Sequence, residues 1–550
     1  MKHPICITAV LHVLSIGSAV ADIQLRDATA ESGITFHHTD GSNGNHYIME
    51  TIASGMGLID YDNDGLLDLY FLNAAPLKGT PQPSSPPVNA LYRNNGDNTF
   101  TDVTQDSNSG DRGYALGCAV ADYDNDGDQD IYITNYGPNV LLRNNGDGTF
   151  TDVTQEAGLG DPSFGAGCSF LDYDHDGYVD IYSNNYLEFD YEKFKPCSRS
   201  GVEVYCDPLN YPSVPDLLYR NNGDGTFTDV SEESGIAQYS GYGMGMVCSD
   251  FDLDGWTDVY VGNDVQESYL FHNNGDGTFE EIGLIAGVAY DLNGDEQGTM
   301  GTNAGDYNGD GLFDIVVTNY QNQLASLYRN LGELQFQDVT LITGAGAGTL
   351  PLVTWGCGFP DFDNDGTREL FIAAGHLQDT VEQYDQSSMY KQRNLLFRLK
   401  EDGTYEDITE KSGDGMLVVK SSRAAVFGDL DNDGDIDVVV QNPRDTPTVL
   451  INETKTNNHW ILLDLVGTKS NRSAIGALVF LTAGGETQID EVRSGRGYQS
   501  AEDLRLHFGL GKETIIERIE VRWPSGVVDV LTCVPADQIM TVTEGSSTGK

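Results

Sequence analysis

Seven stretches of this chain carry one acidic phrase, D-x-[DN]-x-D-G-x-x-[DE], whose oxygen-bearing side chains could converge on a hard cation. The candidate ligands are Asp60, Asp62, Asp64 and Asp68; Asp122, Asp124, Asp126 and Asp130; Asp172, Asp174, Asp176 and Asp180; Asp250, Asp252, Asp254 and Asp258; Asp306, Asn308, Asp310 and Asp314; Asp361, Asp363, Asp365 and Glu369; and Asp429, Asp431, Asp433 and Asp437. Such a cation gathers roughly six to eight oxygens, and alternate residues of a tight loop point inward together. Position six is glycine in every copy, where the backbone must turn sharply, and the carbonyl of position seven is free to add a ligand. A flexible loop of protein oxygens suits calcium better than magnesium, so up to seven Ca2+ ions are expected. The alternative is an ordinary Asp/Asn/Gly turn with no ion. Carboxylates crowded in one loop repel one another without a cation, which favours the ion.

The phrase resembles the front half of an EF-hand loop without its twelfth-position Glu. Its flanks, AVADYD before and DIYITN after, predict strand-loop-strand rather than helix-loop-helix. Successive loops begin 62, 50, 78, 56, 55 and 68 residues apart, so a unit of about fifty residues carries insertions. In the second unit GCAVADYD, DIYITNY, NVLLRNN and TFTDVTQ read as four antiparallel strands, one propeller blade. The fourth strand recurs after six loops (FTDVT, FTDVT, FTDVS, FEEIG, FQDVT, YEDIT) and is missing after the seventh. A matching segment, LRDATAESG, stands at residues 25–33, so an N-terminal strand is expected to complete the last blade and close the ring. The expected fold is all-β: a seven-bladed β-propeller over residues 22–453, followed by a small β-sandwich or barrel.

Strand direction sorts the loops by face. Acidic loops and NGDG turns emerge on one side, and the three largest insertions, residues 74–89, 188–216 and 376–394, on the other. Binding usually resides on loops carried by a rigid scaffold, which makes the insertion face the candidate surface for a protein or glycan partner. The segment 37–56 brings His37, His38, His46 and Glu50 there, joined by His376. These residues define the alternative reading, a metal-assisted enzyme on that face. No G-x-S-x-G, H-E-x-x-H or Walker phrase supports catalysis.

The net charge of −55 excludes a nucleic-acid partner, since no basic stripe is available to neutralise phosphates. Residues 1–21 read as a signal peptide ending Ala19-Val20-Ala21, so secretion or periplasmic export is expected, with no membrane span. Cys118, Cys168, Cys248 and Cys357 precede acidic loops on equivalent strands and are expected to be buried. Cys197 and Cys206 lie in a Pro-rich insertion and are expected to form a disulfide, leaving Cys533 as a free buried thiol. Asn452 and Asn471 fit the short glycosylation pattern.

After Asn452 the repeat stops, and WILLDLVG, GALVFLTAG, ERIEVRW, VVDVLTCV and QIMTVTEG predict at least five strands between residues 457 and 544. NHWILLDLVGTKSNRSAIGALV, RSGRGYQSAEDLRLHFGLG and IEVRWPSG resemble the ASPIC/UnbV domain, and the acidic loops resemble FG-GAP/VCBS repeats. The whole is similar to the cartilage acidic protein family, and the loops alone are similar to those of integrin alpha-chain propellers. The resemblance implies an exported, calcium-stabilised propeller acting in binding or cell adhesion; the loops alone do not carry over integrin ligand recognition.

Overall fold

The computed structural model describes residues 22–81 and 83–547; the expected signal peptide lies outside the described residues. The first unit pairs Met56–Ile59, Asp68–Phe71, Ala90–Asn94 and Phe100–Asp102 in sequence order, all antiparallel. Six more four-stranded units follow it, with inner strands Ala115–Ala121, Gly165–Leu171, Gly243–Ser249, Gln297–Gly305, Thr354–Gly358 and Ala425–Gly428, the fourth and fifth units joined edge to edge where Asp264 pairs with Gly298. In the seventh, Leu25–Asp27 is the outer strand, antiparallel to Thr448–Asn452 with Leu25 opposite Asn452. The segment that matches the missing repeat end therefore sits where that end belongs.

The inner strands neighbour one another in order around a ring, the seventh against the first. Small residues are required there: a Cβ added at Gly117 would stand 2.4 Å from Ala166 O of the next blade. Cys118, Cys168, Cys248 and Cys357 fill the same crowded zone, buried and unpaired.

Beyond the ring, Leu506–Gly511, His459–Val466 and Gln538–Thr543 form one sheet, and Glu486–Glu491, Leu478–Ala483, Ile515–Arg522 and Val528–Pro535 a second. Their apolar interior runs on into the propeller, because Ile461, Val479 and Val521 share one cluster with Ala121, Tyr132 and Phe170. By the area rule each such fully buried aliphatic side chain contributes about 1.5–3 kcal/mol, so this junction is a core rather than a hinge.

Residues 493–505 leave these sheets as a hairpin that reaches every blade. Arg493 Nε donates to Ser249 Oγ at 3.2 Å, Ser494 Oγ to Val120 O at 2.8 Å, and Gly495 N to Ser169 Oγ at 3.1 Å. Gly497 N donates to Thr302 O at 2.7 Å, Ala501 pairs in parallel with Gly57, and Arg505 Nη2 donates to Asp429 O at 3.2 Å. Tyr498 meets the Trp355 ring edge-on at 4.9 Å. Only the axis lets one hairpin touch all seven blades, so this finger fills the central channel.

Two sequence readings change and one holds. Cys533 is free but exposed, on the outer strand of its sheet and at φ 56°, because its side chain faces solvent rather than the shared core. Asn452 and Asn471 are buried and hydrogen-bonded, so neither amide is open to a glycan. The disulfide Cys197–Cys206 is formed.

Candidate metal sites and the ring that holds them

Each acidic loop is built from two left-handed residues. Position four has positive φ in all seven (Asn63, Asn125, His175, Leu253, Gly309, Asn364 and Asn432), as does the glycine at position six. This double reversal folds the carboxylates back on themselves. In six of the loops position one accepts from the backbone of positions five and six, as Asp60 Oδ1 does from Asp64 N and Asp60 Oδ2 from Gly65 N, both at 3.0 Å. Position five accepts from the amide of position seven, as Asp64 Oδ1 does from Leu66 N at 2.9 Å. Position nine ties the loop to the sheet: Asp68 accepts from Tyr61 N at 3.2 Å and from Asn94 N at 2.7 Å.

In the first three loops positions one, three and nine converge. Ligand atoms of Asp60, Asp62 and Asp68, of Asp122, Asp124 and Asp130, and of Asp172, Asp174 and Asp180 lie within 4.8 Å of one another. In the sixth loop Asp361, Asp363 and Asp365 converge, and in the fourth Asp252 and Asp254 meet His272. The sequence reading did not include His272, whose Nδ1 also bonds Asp258 Oδ1 at 2.9 Å. In the fifth loop Asn308 Nδ2 donates to Asp310 Oδ2 at 2.9 Å, so that amide is turned toward its neighbour. In the seventh, Asp431 Oδ2 accepts from Asn98 Nδ2 at 2.9 Å, and Asp433 Oδ1 accepts from Asp435 N.

Burial lifts the carboxyls of Asp68 and Asp250 to about 8, Asp314 to about 9 and Asp122 to about 7, and raises Asp130, Asp180 and Asp437 further. Buried oxygens Asp124 Oδ1, Asp172 Oδ1 and Asp363 Oδ1 have no hydrogen-bond donor. Unsatisfied buried carboxylate oxygens at this spacing fit an oxygen-coordinated divalent cation. A basic residue from the third strand partly offsets the position-three carboxyl in five loops: Arg93, Arg143, Arg220, His272 and Arg398.

The residue after that basic one, read only as the end of the third strand, staples the ring. Asn94 Nδ2 donates to Leu67 O within its blade at 3.0 Å and to Leu430 O of the neighbouring loop at 2.7 Å. Asn144, Asn221, Asn273, Asn330 and Asn452 repeat the cross-blade bond to Tyr61 O, Tyr123 O, Tyr173 O, Phe251 O and Phe362 O, at 2.8–2.9 Å. The signal was in the sequence as the first Asn of RNNGDG.

The small β sheets cover this acidic face. Asp122 N donates to Ser473 Oγ at 2.9 Å, Arg472 N to Asn125 Oδ1 at 2.7 Å, and Asn458 Nδ2 to Asp363 O at 2.7 Å. Arg368 Nη2 pairs with Asp490 at 2.8 Å.

On the opposite side the three insertions meet. Lys78 pairs with Glu192, and Tyr205 and Gln378 exchange two bonds, Tyr205 N to Gln378 Oε1 at 2.8 Å and Gln378 Nε2 to Tyr205 O at 3.0 Å. Arg444 draws the cap together by pairing with Asp40 and with Asp379, the latter at 2.8 Å, and donating to Tyr205 OH at 2.7 Å. The candidate histidines are structural parts of this cap. His38 is buried, its Nδ1 accepting from Arg444 N and its Nε2 bonded to Ser54 Oγ, both at 3.3 Å. His376 is equally buried, its Nδ1 accepting from Gln378 N at 2.9 Å and its Nε2 facing Gln321 Oε1 at 3.2 Å. Burial lowers both to about 4, so they stay neutral at physiological pH. His46 lies 3.5 Å from Asp379, Glu50 accepts from Tyr205 OH at 3.0 Å, and His37 is exposed.

Comparison with known proteins agrees with this architecture. Residues 467–549 match the family described as ASPIC and UnbV, and residues 60–133, 122–183, 210–261, 250–317, 306–372 and 361–440 each match the FG-GAP-like repeat. Cartilage acidic protein 1 of Homo sapiens is 28% identical over 322 residues, 57% of this chain and 45% of that protein. The Mus musculus protein of the same name is 26% identical over 340 residues, 60% and 49% of the two chains. The chain thus spans about half the length of the curated relatives it matches. Among solved structures, an N-acetylglucosamine-recognising Agrocybe aegerita lectin aligns at 17% identity and TM-score 0.37, over 66% of this chain and 82% of that one. A Bacillus licheniformis rhamnogalacturonan lyase aligns at 12% identity and TM-score 0.37, over 78% and 75%. The chain belongs to the FG-GAP-like repeat family and carries an ASPIC and UnbV segment after its repeats.

Proposed function

We propose that this protein is an exported, calcium-rigidified binding module whose insertion face contacts an extracellular protein or glycan. In this reading residues 1–21 are a signal peptide, 22–453 a seven-bladed propeller and 457–544 an ASPIC/UnbV domain. The observation that carries it is the convergence of buried carboxylates at positions one, three and nine, with donor-less oxygens among them. Positions one, three, five and nine of each loop would hold Ca2+, and the ion would neutralise charge that otherwise opposes closing the loop. Because Ser473, Arg472 and Asn458 pack on these loops, the ions would also firm the seat of the small sheets. The insertion face is left as the surface on which a partner can dock, pinned by Arg444 and by Cys197–Cys206.

Measuring bound calcium by mass spectrometry of the desalted protein tests this. Several ions per chain are expected, with one fewer in Asp122→Asn/Asp124→Asn; a metal-free protein that melts identically with calcium and with chelator would refute the reading. The enzymatic alternative has less support, because both buried histidines have each ring nitrogen engaged by a neighbour.

A further inference from the structure

Loop four gathers a different set of donors from its neighbours. In loops one, two and three the converging atoms are carboxylate oxygens of positions one, three and nine, and the basic side chain facing position three is Arg93, Arg143 or Arg220. A guanidinium has no lone pair to give, so an arginine there balances charge and never ligates. Blade four carries His272 at that place instead. A ring nitrogen of His272 and carboxylate oxygens of Asp252 and Asp254, positions three and five, lie within 4.8 Å of one another.

The imidazole is oriented by a buried carboxylate. Its Nδ1 bonds Asp258 Oδ1 at 2.9 Å, and Asp258, fully buried, is itself fixed by Asn273 N at 2.9 Å and Phe251 N at 3.3 Å. A carboxylate at Nδ1 keeps the proton on that side and leaves the lone pair on Nε2, which has no hydrogen-bond partner among the described residues. Asp254 Oδ1 accepts from Trp256 N at 2.9 Å, and the Trp256 ring stacks on His175 of loop three at 4.0 Å, which steadies the turn that carries Asp254. No Lys or Arg among the described residues pairs with any of the four aspartates of this loop, and His272 is the one basic partner, held by Asp258. The cluster is therefore net negative, with a free imidazole nitrogen beside two carboxylates.

We infer that loop four is a site for a zinc-class transition dication, ligated by His272 Nε2, Asp252 and Asp254, with Asp258 positioning the imidazole. Calcium takes oxygen ligands, whereas an imidazole nitrogen in the set turns the preference toward zinc and its neighbours. A carboxylate on the far nitrogen of a ligating histidine is the usual support of such a metal, and three protein ligands leave a place for water. This inference rests on the acidic loops being cation sites and departs from the calcium reading in the metal of loop four alone.

The test dialyses the full chain against millimolar calcium with micromolar zinc and counts both metals by mass spectrometry after desalting. One zinc per chain is expected against the excess of calcium, and none in His272→Arg. That variant installs the residue of blades one to three, so it keeps the positive charge facing position three and removes only the ligand. Asp258→Asn should weaken zinc about tenfold to a hundredfold. His459→Ala, which removes a histidine paired with Asp537 on the small sheets, should hold zinc as the parent does. Melting curves of each variant separate loss of the site from loss of the fold. Failure to retain zinc against calcium, full retention by folded His272→Arg, or loss in His459→Ala would overturn the inference. A chain that holds several calcium ions and no zinc refutes loop four's assignment alone, and one that holds zinc through His272 and no calcium refutes the calcium reading instead.

Discussion

The two faces of the propeller are made by opposite strategies. The acidic face repeats one local solution: a left-handed residue at position four and another at six in all seven loops, and in six of them a carboxylate at nine accepting from the backbone of the third strand. The insertion face has no repeat, and its order comes from single long-range contacts such as Arg444 with Asp379 and Tyr205 with Gln378. A face assembled from equal units distributes its stability over many weak elements. A face assembled from unique contacts concentrates it in a few residues, which leaves the rest of the surface free to vary.

The sharpest way to break that comparison is to remove the ions proposed for the repeated face. A site kept at a hundred times its dissociation constant contributes ~2.7 kcal/mol, and several act together, so excess chelator should lower Tm by more than about 10 °C in calorimetry. Lys78→Ala on the insertion face, which deletes an exposed ion pair, should leave the melting curve nearly unchanged. If the two treatments shift the melting curve equally, the faces are not energetically distinct.

A smaller effect isolates the protein's own part of the repeated face. Asn144→Ala removes the amide shared by Tyr61 O and Gln129 O and leaves two buried carbonyls short of a donor, at a cost of about 3 kcal/mol. Denaturant unfolding in calcium buffer should show the loss; a change below about 1 kcal/mol would mean that the staple is incidental.

The insertion face has its own signature in pH. Burial first, and then Asp40, raises the Glu50 carboxyl from 4.5 to about 7. Between those values the unfolded chain has released the proton and the fold retains it, so stability is greatest at the acid end and declines as pH rises through the window. Discounted for partial solvent screening, the decline is about 2 kcal/mol at most. Glu50→Gln should flatten that part of the stability profile; an unchanged slope would place its origin elsewhere.

What could be read from the sequence follows the same division. The strands, the ring closure by residues 25–33 and the loop turns were legible because their signals are local: period-two alternation, and Gly at a backbone reversal. The staple was visible only as a strand end, since nothing local marks Asn94 as a cross-blade donor until its partner Leu430, from the far end of the chain, is beside it. The finger was opaque. RSGRGYQSAED has no apolar period, and its order comes from carbonyls and hydroxyls such as Val120 O and Ser169 Oγ that no local pattern announces. His38 and His376 were read as possible ligands because imidazole invites that chemistry, whereas their partners Arg444 and Gln321 come from distant segments.

The same logic allows repair of the one seam without a staple, between blades five and six, where Leu399 stands in place of the Asn. Leu399 is partly buried at the end of the third strand of blade six, in the register where Asn94 and its equivalents reach across. Leu399→Asn would supply an amide to Tyr307 O, the carbonyl that stands where Tyr61, Tyr123 and Tyr173 accept theirs. The gain is one hydrogen bond of about 1 kcal/mol, reduced by the apolar contact that Leu399 gives up, so the net effect on Tm should be small and either neutral or upward. The calcium content should stay the same, because Leu399 belongs to none of the acidic loops. A substitution that lowers Tm by several degrees would show that the seam is held apart by something other than the missing amide.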